Sequence, residues 1–281
     1  MDDDVYSGHH WRFLYENVLD HEGAGLADEL RRWLNEHPAH VEEVLEAGRP
    51  GSHLIPLGNL GKSHRQGYSP LERLYAVSRV LDLLIMNYQD PSDDSTPVAN
   101  TLFPSVDAYP AFCEALGANR IDKRDFHPFF HEIVAVRQAD DPDEPPAIVE
   151  ECWPGYLVGS MLLMRAGVVV RAGVRRLVAG VADRSTLYWT YRRRSRPVDD
   201  LSYGWGGNSQ WATDFRRDYL VSDWLHYNVD AALNPRDDKW EEDLDRASTI
   251  ELVRHRCSTV VDHGNDLFPY RHHHVEPAPA G

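Results

Sequence analysis

Cysteine is scarce in this chain of 281 residues: Cys113, Cys152 and Cys257 are the only three, far apart and without a C-x-x-C pair. That excludes a disulfide framework and a cysteine-based zinc site, and leaves reduced, mostly buried thiols as the expectation. Lysine is equally rare, with Lys62, Lys123 and Lys239 standing among 29 basic residues. The bias to arginine fits GC-rich coding and carries no functional conclusion. Long apolar runs are missing too. The nearest approach, LVGSMLLMRAGVVVRAGV from Leu157 to Val174, is broken by Arg165, Arg171 and several glycines, so no membrane span is expected. The opening MDDDVYSGHH is acidic and has no apolar core, so a secretory signal is not expected and the protein reads as cytoplasmic. Positive charge is in deficit overall: a net charge of −16 argues against nucleic acid or an anionic membrane as partner. No P-loop or G-x-S-x-G is present, GAGLA near Gly23 follows no strand, and DHGND at Asp262–Asp266 lacks the oxygen spacing of a calcium loop. Cys257, in RHRC, has cationic neighbours but no base that the sequence can assign to it.

What is present suits a folded protein. Hydrophobic residues make up 42% and charged residues 26%, enough to bury a core. The first third is helical in pattern. Trp11, Leu14, Tyr15, Val18 and Leu19 form one apolar stripe, and Leu26, Leu30, Trp33 and Leu34 a second. Pro38 fits the first turn of a third helix that stops at Gly48. Ser69-Pro70-Leu71-Glu72 reads as a capping box that opens a helix running to about Tyr88, apolar on most of its circumference. Between the last two lies a glycine-rich loop, Gly51–Ser69, and a second irregular stretch, Gln89–Ser105, marks the best subdomain boundary.

From about residue 129 the period becomes extended. FFHEIVAV, AIVEECW, GYLVGSMLLM, GVVVRAGV and STLYWTYRR are rich in β-branched and aromatic residues and separated by turn formers. Their spacing leaves no room for crossover helices, so the sheet should be mainly antiparallel, either open or closed into a small barrel. Ser248–Glu251, STIE, reads as another capping box, and the His-, Pro- and Ala-rich end from Arg271 to Gly281 as frayed. The fold expected is α+β: a helical region over 1–100 and, over 101–281, an antiparallel sheet region with a C-terminal helix, forming one compact unit.

Two constellations carry chemistry. FHPFFHEIV, Phe126 to Val134, has histidines four apart followed by Glu132. On a helix His127 and His131 would stand about 6 Å apart and share an ion. Pro128 and the run Ile133-Val134-Ala135-Val136 disfavour a helix, and on a continuous strand the pair is about 13 Å apart, too far for one metal. A shared ion therefore requires a turn across Pro128, Phe129 and Phe130. His127, His131 and Glu132 are the candidate ligands for a divalent transition metal, iron or zinc, with His53, His64, His226 or His255 as a third imidazole. The alternative is packed, hydrogen-bonded histidines that need no metal.

The second constellation runs from Arg171 to Arg217, where ten arginines meet only four acids. Alternation along STLYWTYRRRSR would send Tyr188, Thr190, Arg192 and Arg194 to one face and Leu187, Trp189, Tyr191 and Arg193 to the other. Beyond it, YGWGGNSQWATDFRRDY brings Trp205, Asn208, Gln210, Trp211, Arg216 and Arg217 into one segment. Flat apolar surfaces beside bidentate donors suit a carboxylate or phosphate ligand. The expectation is a small-molecule enzyme, metal-dependent if the histidines hold an ion, acting on an anionic substrate. The alternative is a non-catalytic protein that docks an acidic partner through the arginine and aromatic surface. Sequence assigns no reaction type.

Overall fold

A computed structural model describes residues 7–55, 57, 69–89, 106–199, 211, 213–231, 244–264 and 271–279. Five helices come first: α1 (Ser7–Asp20), α2 (Leu26–Glu36), α3 (Pro38–Ala47), α4 (Pro70–Leu84) and α5 (Ala108–Ala115). The first four follow the pattern their sequence offers, whereas α5 has no counterpart in the sequence reading. Pro38 opens α3. The Ser69 hydroxyl accepts the Glu72 amide at 3.2 Å while the Glu72 carboxylate accepts the Ser69 amide at 2.6 Å, which closes the capping box of α4. Helix α4 packs along α1, and its buried side chains, from Leu71 to Leu84, occupy most of its circumference. Gly48 ends α3 for a different reason from a left-handed cap. Its φ is −82°, but a Cβ there would sit 2.1 Å from the carbonyl oxygen of Val158, so only glycine lets the helix end touch the sheet.

The strands are β1 (Asn119–Arg120), β2 (His131–Gln138), β3 (Ala147–Trp153), β4 (Tyr156–Val158), β5 (Met161–Met164), β6 (Ala166–Ala172), β7 (Leu187–Tyr188), β8 (Val198–Asp199), β9 (Tyr219–Val221), β10 (Trp224–Tyr227) and β11 (His274–Pro277), with α6 (Arg246–His255) between the last two. They form a six-stranded antiparallel sheet in the order β1-β4-β5-β9-β10-β11 and a three-stranded sheet in the order β2-β6-β3. The fold is α+β with mainly antiparallel sheets, and among the described residues no pairing closes the larger one into a barrel. Two pairs, β2 with β6 and β7 with β8, are parallel. Parallel pairing needs only a long connection, and β3 to β5 supply one between β2 and β6. One large core cluster draws on both the helices and the strands β3 to β5, from Trp11 to Tyr219.

Three local expectations are corrected. Asp245, not Ser248, caps α6: its carboxylate accepts the Ser248 amide at 2.7 Å, and Glu251 instead holds the amide and hydroxyl of Thr259 at 2.8 and 2.6 Å. STLYWTYRRRSR does not alternate as one strand, because Trp189 has φ of 56° and breaks the pleat, leaving Arg193 and Arg194 both buried. The end of the chain is not frayed over His274–Pro277, since that segment pairs with β10 along its whole length.

Candidate functional site

Of the two passages of the chain from the larger sheet to the smaller among the described strands, the second takes a single residue, Arg165, which stands between β5 and β6. Its side chain is 3% exposed, and none of its three guanidinium nitrogens makes a hydrogen bond. The contact it has is Asp218 Oδ2, at 3.6 Å. Asp218, fully buried just before β9, is shared: Arg216 Nε approaches Oδ1 at 3.3 Å, Arg256 Nη2 donates to Oδ2 at 3.0 Å and the Asn228 amide donates to Oδ1 at 2.8 Å. Three guanidiniums therefore converge on one carboxylate. The other carboxylates in reach are engaged, Glu132 by Arg193 at 2.6 Å and Glu276 by Arg254 at 2.8 Å.

The electrostatics follow. Burial lowers the Arg216 pKa to about 9, with Arg256 and Arg165 adding to the fall and Asp218 opposing it. Burial together with Arg256 brings Arg165 down to about 10. For Asp218 burial acts upward, and the three arginines outweigh it to hold the carboxyl at about 2. Besides Arg165, Arg216 Nη1, Arg256 Nε and His255 Nδ1 are also buried without a hydrogen bond. Buried guanidinium donors are costly unless a partner arrives.

Trp189 covers the cluster, its ring 3.3 Å from the Arg216 guanidinium carbon. Of the described non-glycine residues with positive φ, Trp189, Asn228 and Arg256 all belong to this cluster. Asparagine tolerates that conformation and Arg256 terminates a helix, so the strain that calls for a reason is at Trp189.

The histidines border the same seam. The residues from His127 to His131 do make the turn that a close approach needs, with the His131 amide donating to the His127 carbonyl at 3.0 Å, and Phe129 and Phe130 anchor it in the core. His131 Nε2–H donates to the Lys123 carbonyl at 3.2 Å, which leaves Nδ1 to accept the His127 amide at 3.0 Å. Both ring nitrogens of His131 are thus used. His127 Nδ1 accepts the Phe129 amide at 3.2 Å and its Nε2 faces Glu276 Oε1 at 3.7 Å. Glu132 takes a bidentate grip from Arg193, at 2.6 and 2.7 Å. His255 lies one ring away from His131, with Phe126 stacked between them at 5.8 and 6.3 Å. Burial lowers His127 to about 4 and, aided by Arg254, Arg165 and His127, lowers His255 to about 3, so both are neutral at pH 7. Among the described residues no group of three or more His, Cys, Asp or Glu is placed to hold a metal. His53 and His226 face each other, 5.3 Å apart, and His64 lies outside the described residues.

The arginine segment divides. Arg216 joins the cluster, whereas Arg217 turns to Asp230, at 2.6 and 2.7 Å, and to the carbonyls of Ser52 and Ile55, at 3.1 and 2.8 Å. Trp211 packs in the helical core, 5.2 Å from Tyr15 and 3.9 Å from Arg79. Trp205, Asn208 and Gln210 lie outside the described residues. Sequence reasoning missed Arg165, Trp189, Asp218, Arg254, Arg256 and Glu276. Nothing local marks them, since they come together only by sheet pairing and the placement of α6. Burial raises the pKa of Cys257 despite Arg196, so its thiol is not activated. Comparison with protein-family models, with curated proteins and with solved structures finds no match for this chain.

Proposed function

We propose that the protein binds a small molecule through a carboxylate or phosphate group at Arg165, Arg216 and Arg256, and acts on it as an enzyme. Arg165 carries the reading: a guanidinium buried to 3% with no hydrogen bond has incurred its desolvation cost in advance of a partner. An arriving anion supplies that partner and completes the bidentate geometry arginine favours. His127 and His255, imidazoles kept neutral chiefly by burial, are the proton-transfer candidates, and an anion at Arg165 offsets the smaller part of the shift that Arg165 and Arg254 contribute. Docking of an acidic protein partner is the weaker reading, since Arg193, Arg194, Arg196, Arg216 and Arg217 are all buried.

Calorimetric titration with inorganic phosphate and with small carboxylates tests this. Saturable binding is expected, lost at least tenfold in Arg165→Met. The same variant should be as stable as the parent without ligand, or more stable by about 1–3 kcal/mol, because it removes a buried, underpaired charge. Arg216→Lys should weaken binding nearly as much as Arg216→Ala, since lysine keeps charge but loses the planar fork. No saturable binding, or full affinity in the lysine variant, ends the proposal.

A transition metal, iron or zinc, at His127, His131 and Glu132 is decided by elemental analysis. If His131→Ala lowers metal content and stability together, the imidazoles share an ion. A fall in stability alone, about 1–2 kcal/mol for the lost ties to Lys123 and His127, is the result their hydrogen bonds predict.

A further inference from the structure

On the helical side, α1, α3 and α4, with Ser52, Ile55, Leu57 and Arg217, line a cavity of about 230 Å³. Trp11, Val44, Ala47, Ile55, Leu57 and Leu74 supply its apolar wall. An apolar cavity of about 150 Å³ already accommodates benzene, so this one suits a molecule of about nine heavy atoms. Its charged lining is self-neutralised: Arg73 faces Glu43 at 2.8 Å, Glu46 pairs with Arg49 at 3.3 Å and Arg217 grips Asp230 at 2.6 Å. Among the described residues a charged ligand would find no counterion there that is not already engaged.

One donor in the wall is unmatched. Trp11 is 0% exposed and its Nε1–H has no hydrogen-bond partner. Its ring neighbours are Trp33, at 4.9 Å, and Phe112 and His40, each at 6.4 Å, and its N–H finds no acceptor among them. A buried indole N–H normally finds one. The mouth is held in place rather than left to chance: Arg217 ties the carbonyls of Ser52 and Ile55, and Asp230 accepts the Leu57 amide at 3.0 Å. Beside it Leu54 and Ile55 are 74% and 57% exposed, an apolar approach to an apolar chamber.

We infer that this cavity is a second binding site, for a neutral, largely apolar molecule of about one ring or a short chain that bears a single acceptor oxygen for Trp11. The full-length protein is titrated by calorimetry with acetophenone and with α-methylstyrene, in which a CH₂ replaces the carbonyl oxygen. Saturable 1:1 binding of both is expected, with acetophenone favoured about fivefold after correction for their partition into octanol. In Trp11→Phe that preference should disappear while α-methylstyrene still binds. Val44→Phe should abolish binding of both by filling the chamber, and Leu57→Phe at the mouth serves if the core variant fails to fold. Absence of saturable binding, or binding that both filling variants leave unchanged, overturns the site. Equal preference in the parent and in Trp11→Phe overturns the role of the indole donor.

Discussion

Asp218→Ala is expected to cost about 3–5 kcal/mol of folding stability, and inorganic phosphate is expected to return part of it. The carboxylate is fully buried and is the shared counterion of Arg165, Arg216 and Arg256. Without it three guanidiniums face one another in a space that excludes water. An anion bound among them would do in the variant what Asp218 does in the parent. Urea denaturation in phosphate and in chloride at matched ionic strength reads the effect. A larger phosphate gain in Asp218→Ala than in the parent is the expected result; equal gains would mean that phosphate does not reach the cluster. Protonation should mimic the substitution. The folded-state pKa of Asp218 is about 2, below its ordinary value, so its contribution is present in full above about pH 4 and is lost as pH falls through 2.

How much of this was legible depends on how local each cause is. The capping box at Ser69, the helix start at Pro38 and the apolar stripe of α1 are set within four or five residues, and each element stands where its pattern places it. The strands from Ala147 to Ala172 are likewise marked by composition. The sheet pairing is not, since β2 finds β6 across three intervening strands and β11 joins β10 from far along the chain. The site is built from that pairing. The excess of arginine between Arg171 and Arg217 is visible in sequence, but its division is not: Arg216 and Arg217 are neighbours that go to different partners. Arg165 reads in sequence only as an interruption of an apolar run, yet that interruption is a one-residue passage from the larger sheet to the smaller.

Arg193→Met is expected to lose about 3–5 kcal/mol at pH 8 and distinctly less at pH 5.5. Arg193 holds two buried carboxylates at once, Glu132 through Nε and Nη2 at 2.6 and 2.7 Å and Asp82 through Nη1 at 2.7 Å. The second oxygen of Asp82 accepts the Tyr191 amide at 2.9 Å, so one arginine ties α4, β2 and the segment after β7 together. Burial already raises the Asp82 pKa, with Arg193 working against it, whereas at Glu132 burial also acts upward but Arg193, with Arg196 and Arg165, outweighs it and keeps the pKa low. Methionine would leave two carboxylates desolvated and repelling each other, and the cheaper state is one that takes up a proton. A carboxyl whose folded-state pKa lies above its unfolded value binds more protons when folded, so the variant should gain stability relative to the parent as pH falls towards 5.5. Adding Glu132→Gln should recover part of the loss at pH 8, because it removes one of the uncompensated charges. Chemical denaturation at both pH values is the measurement. An equal loss at pH 8 and pH 5.5, or no recovery in the double variant, would show that Arg193 contributes packing rather than charge compensation.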